Sequence, residues 1–174
     1  MKEILFRGKR VDNGEWVEGY YTELPCGSLG ATIFSNDDEL VCEDTTSYII
    51  KVFTKQHTNY SNSNPLQVIE CEKYEVIPET VGQFTGLHDK NGNKIFEGDI
   101  ISATALDTGE EQRAVVCFGN FIDENNDDEY IGFFIEFDGI KTTITQLSME
   151  ECKNRIEVIG NIYDNPELLR SKNG

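Results

Sequence analysis

Asp89, Asn91 and Asn93 are spaced like the first three oxygen ligands of a calcium-binding EF-hand loop. Such a loop also needs a glycine at its sixth position and a glutamate at its twelfth. This chain has Lys94 and Ile100 there, so the residues that would turn the loop and complete the coordination shell are missing. The sequence therefore predicts no metal site at this point.

The same stretch contains two turn signals instead. Asn91-Gly92 is a strong hairpin signal, because glycine and asparagine tolerate the positive φ angles of tight turns. Gly98-Asp99 follows directly before an apolar run and predicts a second turn that leads into a strand. We interpret both pairs as structural turn residues.

A second group of potential ligands is an acidic run between two apolar segments. Its carboxylates are Asp123, Glu124, Asp127, Asp128 and Glu129. Carboxylate oxygens suit Ca²⁺ or Mg²⁺, but nothing in the spacing fixes a coordination geometry. We interpret the run as a solvated loop tip and as a possible interaction surface for a basic partner.

Few residues could support catalysis. The chain has two histidines, His57 and His88, each in a polar stretch, and residues 26–30 (CGSLG) lack the register of a nucleophile elbow. No P-loop or Rossmann glycine pattern occurs. A triad assembled in space, such as a cysteine with His88 and Asp99, stays open because triads are defined by geometry. We expect no enzyme, no catalytic residue and no cofactor.

The cysteines predict a reducing environment. They are five in number and isolated in sequence, without a C-x-x-C pair: Cys26, Cys42, Cys71, Cys117 and Cys152. Free cysteine is among the most buried residue types, so we expect reduced thiols that fill small core spaces.

The charge of the chain bears on its partners. In 174 residues there are 15 basic and 32 acidic side chains, a net charge of −17, and both halves are acidic. Nucleic-acid binders gain affinity by neutralising phosphates with Lys and Arg, so nucleic acid is an unlikely ligand, as is an anionic membrane. The first residues contain only a three-residue apolar run, and we expect a cytoplasmic location.

Alternating apolar residues and turn signals predict a mainly β fold of short antiparallel strands. A first hairpin is expected at Asp12-Asn13-Gly14, where alternation puts Trp16 and Tyr20 on one face of the second strand and Val17 on the other. The strand spacing after residue 80 favours a sheet curled into a small barrel or sandwich, and we predict a small, SH3-like β-barrel for this part of the chain. We expect an N-terminal β subdomain over 1–80 and a barrel subdomain over 81–174, with one compact unit as the alternative.

Helix is predicted only in short pieces. The pattern Ser148-Met149-Glu150-Glu151 is that of a capping box, so a short helix is expected before the last strand. Asn165 followed by Pro166 predicts a final helical turn.

Three sequence blocks resemble the YopX-like proteins of bacteriophages and prophages. They are KEILFRGKR at the amino terminus, residues 81–101 with VGQFTGL, DKNG and FEGDII, and residues 157–168 (EVIGNIYDNPEL). The resemblance implies a mainly β protein made in the cytoplasm of a bacterial host, with a small barrel in its C-terminal part. It implies no established enzymatic activity. The stretch Lys2–Val11 lacks the Ala-Trp-Asp that often follows Phe-Arg in this family.

The leading functional hypothesis is a non-enzymatic phage accessory protein that binds another protein through its acidic loops. Exposed edge strands also make a homo-oligomer a candidate. A narrower alternative is a nucleic-acid mimic, in which carboxylates replace phosphates and block a host DNA-binding protein. A third is a nucleic-acid-binding barrel or an unrecognised enzyme, since a fold alone does not specify a function.

Overall fold

The structure is a computed structural model. It describes residues 4–25, 45–57, 66–104, 109, 111–123, 128–144 and 154–169. At residues 25, 53–57, 66–70 and 123 it describes the backbone only.

The prediction of a mainly β protein is confirmed, because the described residues form two antiparallel sheets of six and five strands. The strands are β1 (Phe6–Lys9), β2 (Trp16–Pro25), β3 (Thr45–His57), β4 (Leu66–Glu75), β5 (Gly82–His88), β6 (Lys94–Phe96), β7 (Asp99–Thr104), β8 (Glu111–Asp123), β9 (Asp128–Phe137), β10 (Ile140–Thr143) and β11 (Glu157–Asn161). The chain divides into an N-terminal unit, Leu5–Val81, and a C-terminal unit, Gly82–Gly174 together with Met1–Ile4. The expected boundary was residue 80.

The N-terminal unit is a meander in the order β4-β3-β2-β1. Its core lies on one face, where Val17, Ile49 and Val76 are almost completely buried and Phe6 and Tyr21 pack against them. The period-two alternation of β2 produces this arrangement, since alternate side chains point to opposite faces of a sheet.

The C-terminal unit contains the β5-β6 hairpin and a sheet in the order β10-β9-β8-β7-β11. Its core includes Ile95, Ile101, Val116, Ile144 and Ile156, all nearly inaccessible to solvent.

The predicted SH3-like barrel is confirmed only as an antiparallel sheet. A barrel closes only when its first and last strands hydrogen-bond to each other. In the described part of the chain β10 pairs with β9 and β11 pairs with β7, so the sheet is open and no closed barrel is found there.

Helical structure is brief in the described ranges, which contain no helix of seven residues or more. A 3-10 turn, Pro166–Leu169, follows Asn165 as predicted, and a second one occupies Pro78–Thr80. The capping-box helix predicted at 148–151 lies outside the described residues. Within those same ranges, no helix is long and apolar enough to cross a membrane.

The first hairpin forms where it was predicted, with Lys9 opposite Trp16, but its turn is not the two-residue type I′ turn that an Asn-Gly pair favours. A type I′ turn needs positive φ at two consecutive residues, whereas in this turn only Gly14 has one, at 72°. The connection is longer: the Gly14 N–H donates to the Arg10 carbonyl at 3.0 Å, and the Arg10 N–H donates to the Glu15 carbonyl at 2.9 Å.

Close strand packing in the N-terminal unit gives a testable prediction at Gly19. A Cβ atom on this residue would lie 2.4 Å from the Ile50 carbonyl oxygen. We expect Gly19→Ala to lower the free energy of unfolding by about 1–3 kcal/mol, because backbone atoms must move. Urea denaturation measures the change.

Gly132→Ala is the matched control, because a Cβ at this strand position meets nothing within 4 Å. Its free energy of unfolding should stay within about 0.5 kcal/mol of the wild type. Similar destabilisation by both substitutions would contradict the packing described for Gly19.

Candidate interaction surface

The β8-β9 hairpin extends beyond the rest of its sheet. β7 pairs with β8 only from Glu111 to Val115, and β10 pairs with β9 only from Phe134 to Phe137. Residues 118–123 and 128–133 pair with each other, and in the described part of the chain with no further strand. We call these two segments the hairpin end.

One face of the hairpin end continues the core-facing side of the sheet. Residues paired across an antiparallel ladder share a face, and the face alternates along each strand. Phe118 and Ile122 therefore lie on the same side as the buried Val116, and Ile131 joins them because it pairs with Asn120. Their exposed fractions are 48% for Phe118, 59% for Ile122 and 77% for Ile131. Near Val116 this apolar stripe faces the core of the C-terminal unit, and towards the hairpin end it continues beyond the core.

The opposite face of the hairpin end is packed. Phe121 is buried, and its ring lies 5.6 Å from that of Tyr130 and 4.7 Å from that of Phe134. The ammonium group of Lys141 lies 5.4 Å from the centre of the Phe134 ring. These aromatic contacts stabilise a ribbon that has only two strands.

A carboxylate lies at the tip end of the exposed stripe. Asp128 and Glu129 are exposed, and Glu129 pairs with Ile122, which puts it on the apolar face. Asp123 lies opposite Asp128 in the register, while Glu124 and Asp127 lie outside the described residues. The result is an apolar strip with negative charge at its tip, a composition suited to a partner that offers apolar and basic groups.

The predicted turn residues lie elsewhere, in the β5-β6 and β6-β7 connections. Asn91 and Gly92 are in the first turn, where Gly92 has a φ of 84°. The turn is organised by the buried carboxylate of Asp89. This carboxylate accepts hydrogen bonds from the backbone N–H groups of Asn91 (2.9 Å), Asn93 (2.8 Å) and Val158 (3.1 Å), and from the Asn93 side-chain amide (3.0 Å).

Two further contacts fasten this turn to β11. The Lys90 N–H donates to the Ile156 carbonyl at 2.9 Å, and the Lys90 ammonium lies 2.6 Å from a Glu157 oxygen. Burial by itself would raise the pKa of Asp89, but the hydrogen bonds from Val158, Asn93 and Asn91 together outweigh it, so the pKa is lowered. The spacing that resembles a calcium loop therefore builds a turn in which backbone amides take the place of a cation.

Gly98 and Asp99 form the second turn. The Asp99 carboxylate accepts a hydrogen bond from the Phe96 N–H at 2.7 Å. Gly98 has a φ of 80°, donates to the Val116 carbonyl at 2.8 Å and lies so close to Tyr163 that a Cβ would come within 3.1 Å of its ring. Both its conformation and its surroundings favour glycine.

Among the residues considered for catalysis, 26–30 lie outside the described part of the chain, and the thiol of Cys117 is not activated. Burial, together with smaller contributions from the carboxylates of Glu136 and Glu97, raises the pKa of the Cys117 thiol to about 11. His88 is exposed and packs edge-on against Phe84, while the His57 side chain is not described. In the described ranges no three His, Cys, Asp or Glu side chains are grouped as metal ligands.

Sequence reasoning located the acidic tip but missed the apolar stripe beside it. Alternating apolar residues such as Phe118 and Ile122 normally indicate a buried strand face. The available signal was length, since apolar residues recur from Ala114 to Ile122 and β8 has thirteen residues, against the usual five or six of a strand.

These features define the class of protein: a mainly β chain with two antiparallel sheets, a projecting hairpin and no helix longer than a few residues in the described ranges. The family model described as YopX protein matches residues 32–170, well over half of the chain. The chain belongs to the YopX family, which confirms the resemblance in the sequence.

The fold is also similar to a crystal structure of protein EF1440 from Enterococcus faecalis. The match has 24% sequence identity and a TM-score of 0.52, and covers 98% of this chain and 100% of that one. At this identity the likeness concerns the fold. No curated protein matches the chain.

The buried carboxylate gives a prediction for Asp89→Asn. In the wild type the donors share two carboxylate oxygens, whereas the asparagine amide offers them only one acceptor oxygen. We therefore expect the free energy of unfolding to fall by about 2–4 kcal/mol at neutral pH. The lowered pKa of Asp89 means that its contribution is present above pH about 4 and is lost as the pH falls below that value. The variant should therefore lose less stability than the wild type between neutral pH and about pH 3.

Urea denaturation at the two pH values tests both parts, with Asp138→Asn as the control. Asp138 is exposed and has a φ of 52°, which asparagine also adopts. An Asp89→Asn protein as stable as this control would show that the carboxylate does not organise the turn.

The thiol of Cys117 gives a second prediction. With a pKa of about 11 it should react with iodoacetamide near pH 8 on the order of 10- to 100-fold more slowly than an ordinary exposed thiol. Peptide mapping by mass spectrometry resolves Cys117 from the other cysteines, and the exposed Cys71 serves as the internal comparison. Alkylation of Cys117 as fast as that of Cys71 would be inconsistent with the raised pKa.

Proposed function

We propose that this YopX-family chain is a non-enzymatic protein-binding module and that the hairpin end is its binding surface. The observation that carries the proposal is the exposed apolar stripe of Phe118, Ile122 and Ile131 on a projecting ribbon. Contiguous apolar patches larger than a few hundred Å² are uncommon on soluble monomers and mark sites that a partner covers.

The backbone of the ribbon offers a second means of attachment. Beyond Val115, the outer edge of β8 has no strand beside it in the described part of the chain. Such an edge presents N–H and C=O groups that an extended segment of a partner can pair with. Strand addition along 118–123 would bring the side chains of the partner beside Phe118 and Ile122.

The partner should combine apolar side chains with Lys or Arg. Glu129 lies on the face of the stripe, and Asp128 lies next to it at the tip, on the opposite face. Opposite charges at the rim of an interface raise the rate of association and select against acidic partners. The alternative of a nucleic-acid mimic is less well supported. A surface that imitates phosphates needs charge and not exposed apolar side chains, whereas Ile131 is 77% exposed. We therefore favour a partner that offers apolar side chains with basic groups around them over a partner bound by charge mimicry alone.

We further propose that this binding takes place in the cytoplasm of a bacterium that carries a phage or prophage. The resemblance of the sequence to phage and prophage proteins supports this setting, as does the bacterial origin of the similar crystal structure.

A display selection of random short peptides on the immobilised protein tests the binding surface. We expect the retained peptides to carry more Lys and Arg than Asp and Glu, with apolar residues at alternate positions. They should bind the Phe118→Thr/Ile131→Thr variant at least about tenfold more weakly, since truncating central apolar contacts typically costs more than 1 kcal/mol.

Ile140→Thr is the control, because Ile140 is 49% exposed but lies on β10, outside the hairpin end. Its binding should equal that of the wild type. A selection that retains no peptide, or peptides that bind the double variant as tightly as the wild type, would contradict the proposal.

A further inference from the structure

The N-terminal unit presents a surface whose composition is the reverse of the hairpin end. Val17 and Ile49 face the core, so the alternate residues of β1–β4 face the other way. The register puts these residues on that outer side: Arg7, Lys9, Trp16, Tyr20, Tyr48, Ile50, Val52 and Lys73. We call them the aromatic–basic face.

Cations on this face lie over aromatic rings. The Arg7 guanidinium is 4.8 Å from the centre of the Trp16 ring, and the Lys73 ammonium is 3.9 Å from that of Tyr48. Contacts of this kind hold long basic side chains in place, which reduces the entropy that they lose when they meet a carboxylate.

The face also exposes apolar surface next to these cations. Tyr20 is 56% exposed and Val52 is 49% exposed, and Ile50 lies between Tyr20 and Lys73 in the ladder. Among the described side chains of β1–β4, three cations share this face with two carboxylates, those of Glu18 and Glu75. The face is thus slightly basic in a chain whose net charge is −17.

We infer that the partner of the hairpin end is the aromatic–basic face of a second copy of this chain. This inference rests on the proposed function and names its partner. Glu129, which shares the face of the stripe, would meet a basic group such as Lys73, while Ile131 and Phe118 would pack on Tyr20 and Val52.

Charge favours this head-to-tail arrangement over the symmetric ones. Two hairpin ends placed together would bring the carboxylates around Asp128 and Glu129 close to one another, and two aromatic–basic faces would do the same with their cations. The net repulsion between two acidic copies is screened beyond about 8 Å at physiological ionic strength. Charges that meet at the contact therefore decide which surfaces associate.

A single-stranded nucleic acid is the other ligand that aromatic and basic groups on a sheet can suggest. The second copy is favoured because its acidic tip also offers apolar side chains to Tyr20 and Val52, which a phosphate backbone does not. A head-to-tail contact joins copies through two different surfaces, so a dimer keeps one hairpin end and one aromatic–basic face available for further growth.

Two variants test the inference by complementation. The first, Ile131→Thr/Glu129→Lys, disables the hairpin end and keeps the aromatic–basic face. The second, Tyr20→Thr/Lys73→Glu, disables the face and keeps the hairpin end. All four positions are exposed, so both proteins should fold, and circular dichroism with urea denaturation verifies this.

Sedimentation velocity and light scattering over a wide concentration range give the readout. Wild-type mass should rise with concentration, and each variant alone should lose this rise and remain monomeric. An equimolar mixture of the two should form a dimer and nothing larger, because it contains one working pair of surfaces. Ile140→Thr/Glu167→Lys, with exposed substitutions of the same kind elsewhere, should assemble like the wild type.

Three results would overturn the inference. One is assembly by the face variant alone, which would mean that two hairpin ends pair with each other. Another is a mixture of the variants that stays monomeric although the wild type assembles. The third is a wild type that is monomeric at every concentration, which excludes a second copy as the partner. If peptides selected on the hairpin end still bind to this monomer, the proposed function survives.

Discussion

The buried carboxylate of Asp89 is the interaction on which the C-terminal unit depends. It satisfies three backbone N–H groups and one side-chain amide, and one of those donors, Val158, lies 69 residues further along the chain. A buried charge costs several kcal/mol unless hydrogen bonds replace the water that it loses. The carboxylate therefore requires these donors, and it also holds them in place. One side chain thereby shapes the β5-β6 turn and fixes β11 beside it.

The effects of this contact extend along the sheet. With β11 in place, β7 pairs with it on one side and with β8 on the other, and the irregularity between Val158 and Gly160 lets the strand reach Asn161. Gly160 tolerates the approach of the Asn165 side chain, where a Cβ would stand 2.6 Å from the amide oxygen. The register of β8 against β7 then determines which of its residues face the core and, further out, which become the exposed stripe.

Local patterns in the sequence were sufficient to predict most elements but not how the sheet ends. The Asp12-Asn13-Gly14 hairpin and the turn after Asn165 follow from residues that favour those conformations wherever they occur. Closure of a barrel depends on whether β10 and β11 approach each other, and this depends on long-range geometry that short patterns do not contain. Exposure of Phe118 was missed for the same reason, because alternation reports which side a residue faces and not whether anything covers that side.

The acidic run at the tip of the β8-β9 hairpin has a consequence for solubility. Residues 117–122 (CFGNFI) combine aromatic and β-branched side chains without a charge, a composition prone to cross-β aggregation. Charged residues that flank such a segment act as gatekeepers, since stacked copies would bring like charges into line. Asp123 and the four carboxylates that follow it occupy this position, so the loop that gives the ribbon its polarity also has the composition of a gatekeeper against fibril formation.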